Sequence, residues 1–182
     1  MCNGFMLFCA LNAVKGMVIN MKKNNQNTNN IPKKKILVSA CLYGHCTRYD
    51  GESQLLRDKT FLEWKNRGML IPVCPEVLGG LTTPRSPSEI RDGKVYNMDG
   101  DDVTEQFQKG ADEVLKIAKE NHVVFALLKD GSPSCGCKHI YDGSFTGKKI
   151  NGSGVCARKL LENGVLVLAE DDMSSAKVFL NE

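Results

Sequence analysis

Cysteine is the residue type through which this sequence points most directly to chemistry. The 182-residue chain contains eight cysteines, which is many for its size. They are Cys2, Cys9, Cys41, Cys46, Cys74, Cys135, Cys137 and Cys156. No secretory signal pattern precedes them, so we expect a soluble protein of the reducing cytoplasm, in which cysteines are free, catalytic or metal-bound rather than joined in disulfides.

The spacing of the cysteines is compatible with three roles. Cys41 and Cys46 are separated by four residues and Cys135 and Cys137 by one, with Cys74 alone between the two pairs. Structural zinc sites usually contain two cysteine pairs with two to four residues between the members of each pair, so Cys135-x-Cys137 and the lone Cys74 fit that pattern poorly. The redox spacing Cys-x-x-Cys is absent. Thiolates are also the standard ligands of iron–sulfur clusters. The spacing therefore leaves three possible roles for the cysteines: ligands of a metal or cluster, small buried side chains, or a nucleophilic thiol.

Polar residues beside these cysteines are candidates for a catalytic role. Glu76 comes two positions after Cys74, where its carboxylate could move protons or could simply cap a helix. Ser132 and Ser134 precede Cys135 in a segment that also fits an ordinary proline turn. We therefore take the glutamate and both serines as candidate catalytic residues.

The surrounding pattern predicts elements that would bring three of the thiols together. Four short apolar runs alternate with helical patterns, at residues 36–40, 69–73, 123–128 and 165–169. This alternation is typical of an α/β fold with a mainly parallel sheet of four to five strands and helices on both faces. Cys41, Cys74 and Cys135 follow the first three runs, and the carboxyl ends of parallel strands share one edge. We therefore expect these thiols to meet there, beside two irregular stretches at 75–101 and 129–152.

The chain is predicted to contain one folded domain and an extension. Residues 1–30 combine a short apolar patch with an Asn- and Lys-rich stretch without periodicity, which predicts a disordered N-terminal extension. The apolar patch is too short to cross a bilayer, so no membrane association is expected. Residues 31–182 are predicted to form a single α/β domain. The net charge of only +3 gives no reason to expect a stable nucleic-acid partner.

Six ordered segments of the chain resemble the DUF523 family, whose characterised members are thiouracil desulfurases. The segments are VSACLYG at 38–44, RYDG at 48–51, CPEVLGGL at 74–81, PR at 84–85, SPSCG at 132–136 and IYDGSF at 140–145. The resemblance covers about residues 35–170. One position departs from the family pattern: Thr47 stands where the family often has a cysteine, and Cys46 lies one position earlier.

The resemblance implies a cofactor and an activity. It implies a [4Fe–4S] cluster held by Cys41, Cys74 and Cys135, with the fourth iron free to bind the sulfur of a small thiolated substrate. It implies that Glu76 handles protons and that one of the two serines before Cys135 assists. The implied enzyme is a non-redox desulfidase, which removes sulfur from a thiolated nucleobase such as 2-thiouracil and releases sulfide.

Two other functions fit the same residues. One is a zinc- or cluster-binding sensor without turnover, and the other is a desulfidase acting on thiolated tRNA, which the modest charge disfavours. Iron and labile sulfide in protein purified without air would separate a cluster protein from a zinc protein. Turnover of 2-thiouracil would then separate an enzyme from a sensor.

Overall fold

The computed structural model describes residues 34–180, so the predicted extension at 1–30 lies outside the described residues. The strands are β1 (Ile36–Ser39), β2 (Leu70–Val73), β3 (Ser88–Arg91), β4 (Lys94–Asn97), β5 (Phe125–Leu128), β6 (His139–Tyr141), β7 (Lys149–Asn151) and β8 (Val167–Ala169). The helices are α1 (Ala40–Tyr43), α2 (Lys59–Asn66), α3 (Pro75–Leu78), α4 (Thr104–Glu120), α5 (Val155–Glu162) and α6 (Met173–Leu180). Within residues 34–180, no helix is long and apolar enough to span a membrane.

The central sheet is parallel and has four strands in the order β2-β1-β5-β8. In its register, Ile36 of β1 lies opposite Leu70 of β2 and Phe125 of β5. Every residue of β1 and β5 is buried, as expected for central strands that are covered on both faces. The predicted α/β fold with a mainly parallel sheet is confirmed.

Two hydrophobic cores lie on the two faces of this sheet. Alternate residues of a strand point to opposite faces, so Ile36 and Val38 enter one core and Leu37 the other. The first core is completed by α2, through Phe61 and Trp64, and by α6. The second is completed by the apolar faces of α4 and α5. Helices therefore cover both faces, as predicted.

Two antiparallel hairpins and a short helix occupy the stretches predicted to be irregular. β3 and β4 are joined by Asp92 and Gly93, whose φ values of 51° and 78° are those of a tight two-residue hairpin turn. An Asp-Gly pair is a known hairpin signal, so this hairpin could have been found from the sequence. β6 and β7 form the second hairpin, whose turn spans residues 142–148.

Candidate active site

Three cysteines line one cavity at the carboxyl edge of the sheet. Cys41 lies in α1 directly after β1, Cys74 directly follows β2, and Cys135 lies in the loop after β5. The cavity has a volume of about 490 Å³, and Glu76 and Ser132 also line it. None of the three cysteines forms a disulfide. The structure thus brings together the cysteines that the strand pattern singled out.

Burial keeps these thiols protonated in the absence of a cation. Burial raises the pKa of Cys41 to about 11, and the neighbouring Cys74 adds to the effect. Burial also raises the pKa of Cys74, and it raises that of Cys135 well above its ordinary value. Thiolates so placed would repel one another, and a bound metal group would supply the positive charge that allows their deprotonation.

The three thiols line the same cavity but do not converge as ligands of a single metal ion. Among residues 34–180, no three His, Cys, Asp or Glu side chains come close enough together to hold a single metal ion. A zinc site needs its ligands around one ion. A cubane cluster attaches each thiolate to a different iron and therefore spaces its ligands more widely. The three soft thiolate donors in one cavity fit such a cluster.

Glu76 is held at the cavity by an almost buried ion pair. Its Oε2 accepts a hydrogen bond of 2.8 Å from Nε of Arg85, and the two side chains are 14% and 8% exposed. Arg85 is fixed in turn because its Nη2 donates to the carbonyl oxygen of Thr47 at 3.0 Å. The Cys74 thiol lies 3.7 Å from the same carbonyl oxygen, to which it donates. The ion pair thus orients the carboxylate beside one of the cavity thiols.

Close backbone packing between α3 and α4 positions both Cys74 and Glu76. A Cβ atom at Gly110 would lie 1.9 Å from the carbonyl oxygen of Pro75, and one at Gly79 would lie 1.9 Å from that of Gln106. Only glycines allow the two helices to approach so closely. The beginning of α3, which follows Cys74 and carries Glu76, is therefore fixed against the longest helix.

The structure separates the two candidate serines. Ser132 lines the cavity, and its Oγ accepts hydrogen bonds from the backbone N–H groups of Ser134 at 3.1 Å and Cys135 at 3.0 Å. Ser134 is fully buried and is not part of the cavity wall, and its hydroxyl has no hydrogen-bond partner among the described residues. Of the two, only Ser132 is brought to the thiols.

The other described cysteines do not line the cavity. Cys46 is exposed, and Cys156 is buried in α5. Cys137 is half-buried, and its backbone N–H donates to Oδ1 of Asp130 at 3.1 Å. Burial raises the pKa of the Cys137 thiol to about 12. The structure thus gives none of these three cysteines a position on the wall.

Ser39 is a residue of the site that sequence reasoning missed. This buried serine ends β1 and lines the cavity, and its Oγ accepts a hydrogen bond of 2.9 Å from the backbone N–H of Lys129. The pKa of Cys135 is raised mainly by burial, and a hydrogen bond with Ser39 partly offsets this rise. The signal in the sequence was a hydroxyl residue at the end of a fully buried strand.

Fold and site together define an α/β protein with a thiol-lined cavity at the carboxyl edge of a parallel sheet. The chain belongs to the 2-thiouracil desulfurase family, whose model matches residues 36–172. The uncharacterized protein YbbK of Bacillus subtilis (strain 168) is 40% identical over 149 residues, which cover 76% of this chain and 97% of YbbK. The solved structure of TudS (DUF523Vcz), a [4Fe-4S]-dependent thiouracil desulfidase, is 40% identical, has a TM-score of 0.80, and aligns with 82% of this chain and 99% of TudS. The family resemblance is confirmed.

Proposed function

We propose that this chain is a [4Fe–4S]-dependent desulfidase that removes sulfur from a small thiolated nucleobase such as 2-thiouracil. The observation that carries the proposal is that Cys41, Cys74 and Cys135 line the same cavity as Glu76 and Ser132. Membership of the 2-thiouracil desulfurase family and the similarity to TudS support it.

The three thiolates would hold the cluster, and Ser39 would support one of them. When bound through three protein ligands, a [4Fe–4S] cluster supplies an iron with an open position, which acts as a Lewis acid for soft sulfur. The hydrogen bond with Ser39 would stabilise the negative charge of the Cys135 thiolate.

The side chains around the cluster site would carry the proton transfers. In the overall reaction, the oxygen of a water molecule replaces the sulfur of the thioamide, so that C=S becomes C=O. The sulfur leaves as sulfide, and there is no net redox change. Glu76, whose carboxylate is oriented by Arg85, would move protons between water and the substrate ring. Oγ of Ser132 accepts hydrogen bonds from two backbone N–H groups. Its hydroxyl proton is therefore free to be donated into the cavity.

The test is anaerobic purification followed by assays of iron, labile sulfide and activity on one preparation. We expect brown protein with iron and sulfide, which converts 2-thiouracil to uracil and releases sulfide. A colourless zinc protein would contradict the cofactor. A cluster-loaded protein without turnover of 2-thiouracil would contradict the proposed substrate and favour a sensor or another thiolated substrate.

A further inference from the structure

The turn between β6 and β7 contains a residue with a strained backbone at the cavity. Phe145 has a φ of 57°, in the left-handed region that non-glycine residues rarely adopt. It is half-buried and lines the cavity. Such strain persists only where the surroundings enforce it, and it is concentrated at ligand-binding sites.

A buried carboxylate enforces this conformation. Glu89 of β3 is 8% exposed, and its Oε2 accepts hydrogen bonds from the backbone N–H groups of Gly143 at 2.9 Å and Phe145 at 3.0 Å. Within the described part of the chain, no basic side chain forms an ion pair with it. Burial of a charge without a counter-ion is costly, so these two hydrogen bonds are the main compensation for the carboxylate.

The turn also packs directly against β3. Gly143 has a φ of 87°, and a Cβ atom there would lie 2.8 Å from the carbonyl oxygen of Ile90 and 2.8 Å from Cβ of Arg91. The turn is therefore tied to β3 both by this close contact and by the Glu89 carboxylate. Its position over the cavity depends on the hairpin of β3 and β4.

Aromatic and thioether side chains in the lining of the cavity suit a flat ring. Tyr49, Met98, Tyr141 and Phe145 all line the cavity. Aromatic side chains stack on nucleobases, and a thioether packs well against a ring edge or face. A planar heterocycle with its sulfur directed at the thiol wall would find apolar surface here.

We propose that Phe145 provides the face on which the substrate ring lies, and that Glu89 is a positioning residue that holds Phe145 in place. The inference rests on the proposed function and deepens it, because it names the residue that would bind the substrate ring and the residue that positions it. An aliphatic thioamide or a free thiol would gain little from such a face.

The decisive variant is Phe145→Leu, which keeps apolar volume and removes the ring. We expect it to weaken the binding of uracil, measured by calorimetry on anaerobic cluster-loaded protein, by about 5- to 150-fold, the range of base stacking on an aromatic residue. The KM for 2-thiouracil should rise by a similar factor, while kcat and iron content stay unchanged. Phe145→Tyr should restore binding. Phe179→Leu is the matched control, because Phe179 lies on α6 outside the cavity wall.

A second measurement tests the positioning role without reference to activity. Glu89→Gln keeps the shape of the side chain and removes its charge, so the amides of Gly143 and Phe145 should exchange with deuterium faster, and KM should rise. Glu63→Gln, at an exposed position of α2, should change neither. Unchanged exchange of both amides in Glu89→Gln would overturn the role of Glu89.

The outcomes for this inference and for the proposed function can be told apart. Three results would overturn the ring-binding role of Phe145. They are undiminished uracil binding in Phe145→Leu, loss of iron in that variant, and no uracil binding to the wild-type protein at millimolar concentration. Absence of 2-thiouracil turnover in the wild type, with uracil binding that depends on Phe145, would refute the proposed activity and leave the ring-binding face intact.

Discussion

At the scale of single residues, surroundings rather than residue type distinguish the cysteines of this chain. Cys41, Cys74 and Cys135 line a common cavity, whereas Cys46 is exposed and does not line it. Thiols that are buried next to one another gain from a cation that lets them ionise. Their arrangement therefore makes sense as a ligand set, and each member can be tested separately.

Replacing a single ligand should remove the cluster. Cys41→Ser, Cys74→Ser and Cys135→Ser each exchange a soft thiolate for a hydroxyl, which is a poor ligand for iron. We expect iron and labile sulfide to fall to near background in all three, measured after anaerobic reconstitution. Cys46→Ser, the matched control, should keep wild-type iron. Full iron content in Cys74→Ser would refute the ligand assignment.

The Glu76 carboxylate should be needed for turnover and not for the cluster. Glu76→Gln keeps the shape of the side chain and removes its ability to exchange a proton. Because general acid–base catalysis contributes about 100- to 10,000-fold, turnover of 2-thiouracil should fall by that factor at unchanged iron content. Unchanged turnover would remove Glu76 from the mechanism, and loss of iron together with turnover would make it a structural residue. Glu63→Gln serves as the control here too.

At the scale of elements, the contact between α3 and α4 decides where Cys74 and Glu76 lie. α3 has only four residues and could not hold its position alone. Its two glycine contacts with α4 fix it to a helix of 17 residues whose apolar face is buried in the second core. The geometry of the site therefore depends on packing behind the cavity wall.

Gly110→Ala tests this contact, because the contact determines whether the substitution stabilises or destabilises the protein. Helix propensity alone would make the change stabilising by about 1 kcal/mol. The added Cβ, 1.9 Å from the carbonyl oxygen of Pro75, must instead push α3 away, and overpacking of this kind costs about 1–3 kcal/mol. We expect a lower Tm and reduced iron retention. Lys109→Ala, at the neighbouring exposed position, is the control and should leave both unchanged. A raised Tm in Gly110→Ala would contradict the role of the contact.

The loop after β5 contains a carboxylate, Asp130, whose hydrogen bonds make the stability of the loop sensitive to acid. Oδ1 of Asp130 accepts hydrogen bonds from the backbone N–H groups of Cys137, Lys138 and His139, and Oδ2 contacts Nδ1 of His139. Burial acts to raise the pKa of Asp130, but these hydrogen bonds outweigh it and lower the pKa to about 2. The loop that carries Ser132 and Cys135 thus depends on the ionised form.

Because the pKa of Asp130 is lower in the folded than in the unfolded protein, its ionised carboxylate stabilises the fold. This stabilisation is fully present above about pH 4 and is lost as the pH falls to about 2. Asp130→Asn should therefore lower the free energy of unfolding at pH 7 by about 2 kcal/mol, since one pKa unit corresponds to about 1.4 kcal/mol. The difference from wild type should shrink as the pH falls from about 4 to 2, measured by urea unfolding. A constant difference over this range would contradict the assignment.

At the scale of the whole molecule, the residues that form the cavity come from distant parts of the chain. The wall is built from segments after β1, β2 and β5 and from both hairpins, so no short piece of the sequence contains the site. All of these segments lie within residues 36–172, the part that matches the family. Residues 31–182 should therefore hold everything that the site requires.

Removal of residues 1–30 tests the predicted domain boundary. We expect the shortened chain to keep the Tm, the iron content and the 2-thiouracil turnover of the full chain, because every cavity residue and both cores are retained. The full-length chain, prepared in parallel, is the control. A loss of iron from a shortened chain that still folds would assign the N-terminal segment to the site.

The sequence by itself determined the α/β class and the three cavity cysteines, because both follow from local patterns. Apolar runs mark buried strands, and cysteines that follow the carboxyl ends of parallel strands are expected at the shared edge. Only the tertiary structure decided that Ser132 and not Ser134 faces the cavity, that Arg85 orients Glu76, and that Glu89 holds the turn of Phe145. These pairings join residues up to 56 positions apart, and they depend on how helices and hairpins pack against the sheet, which no local pattern encodes.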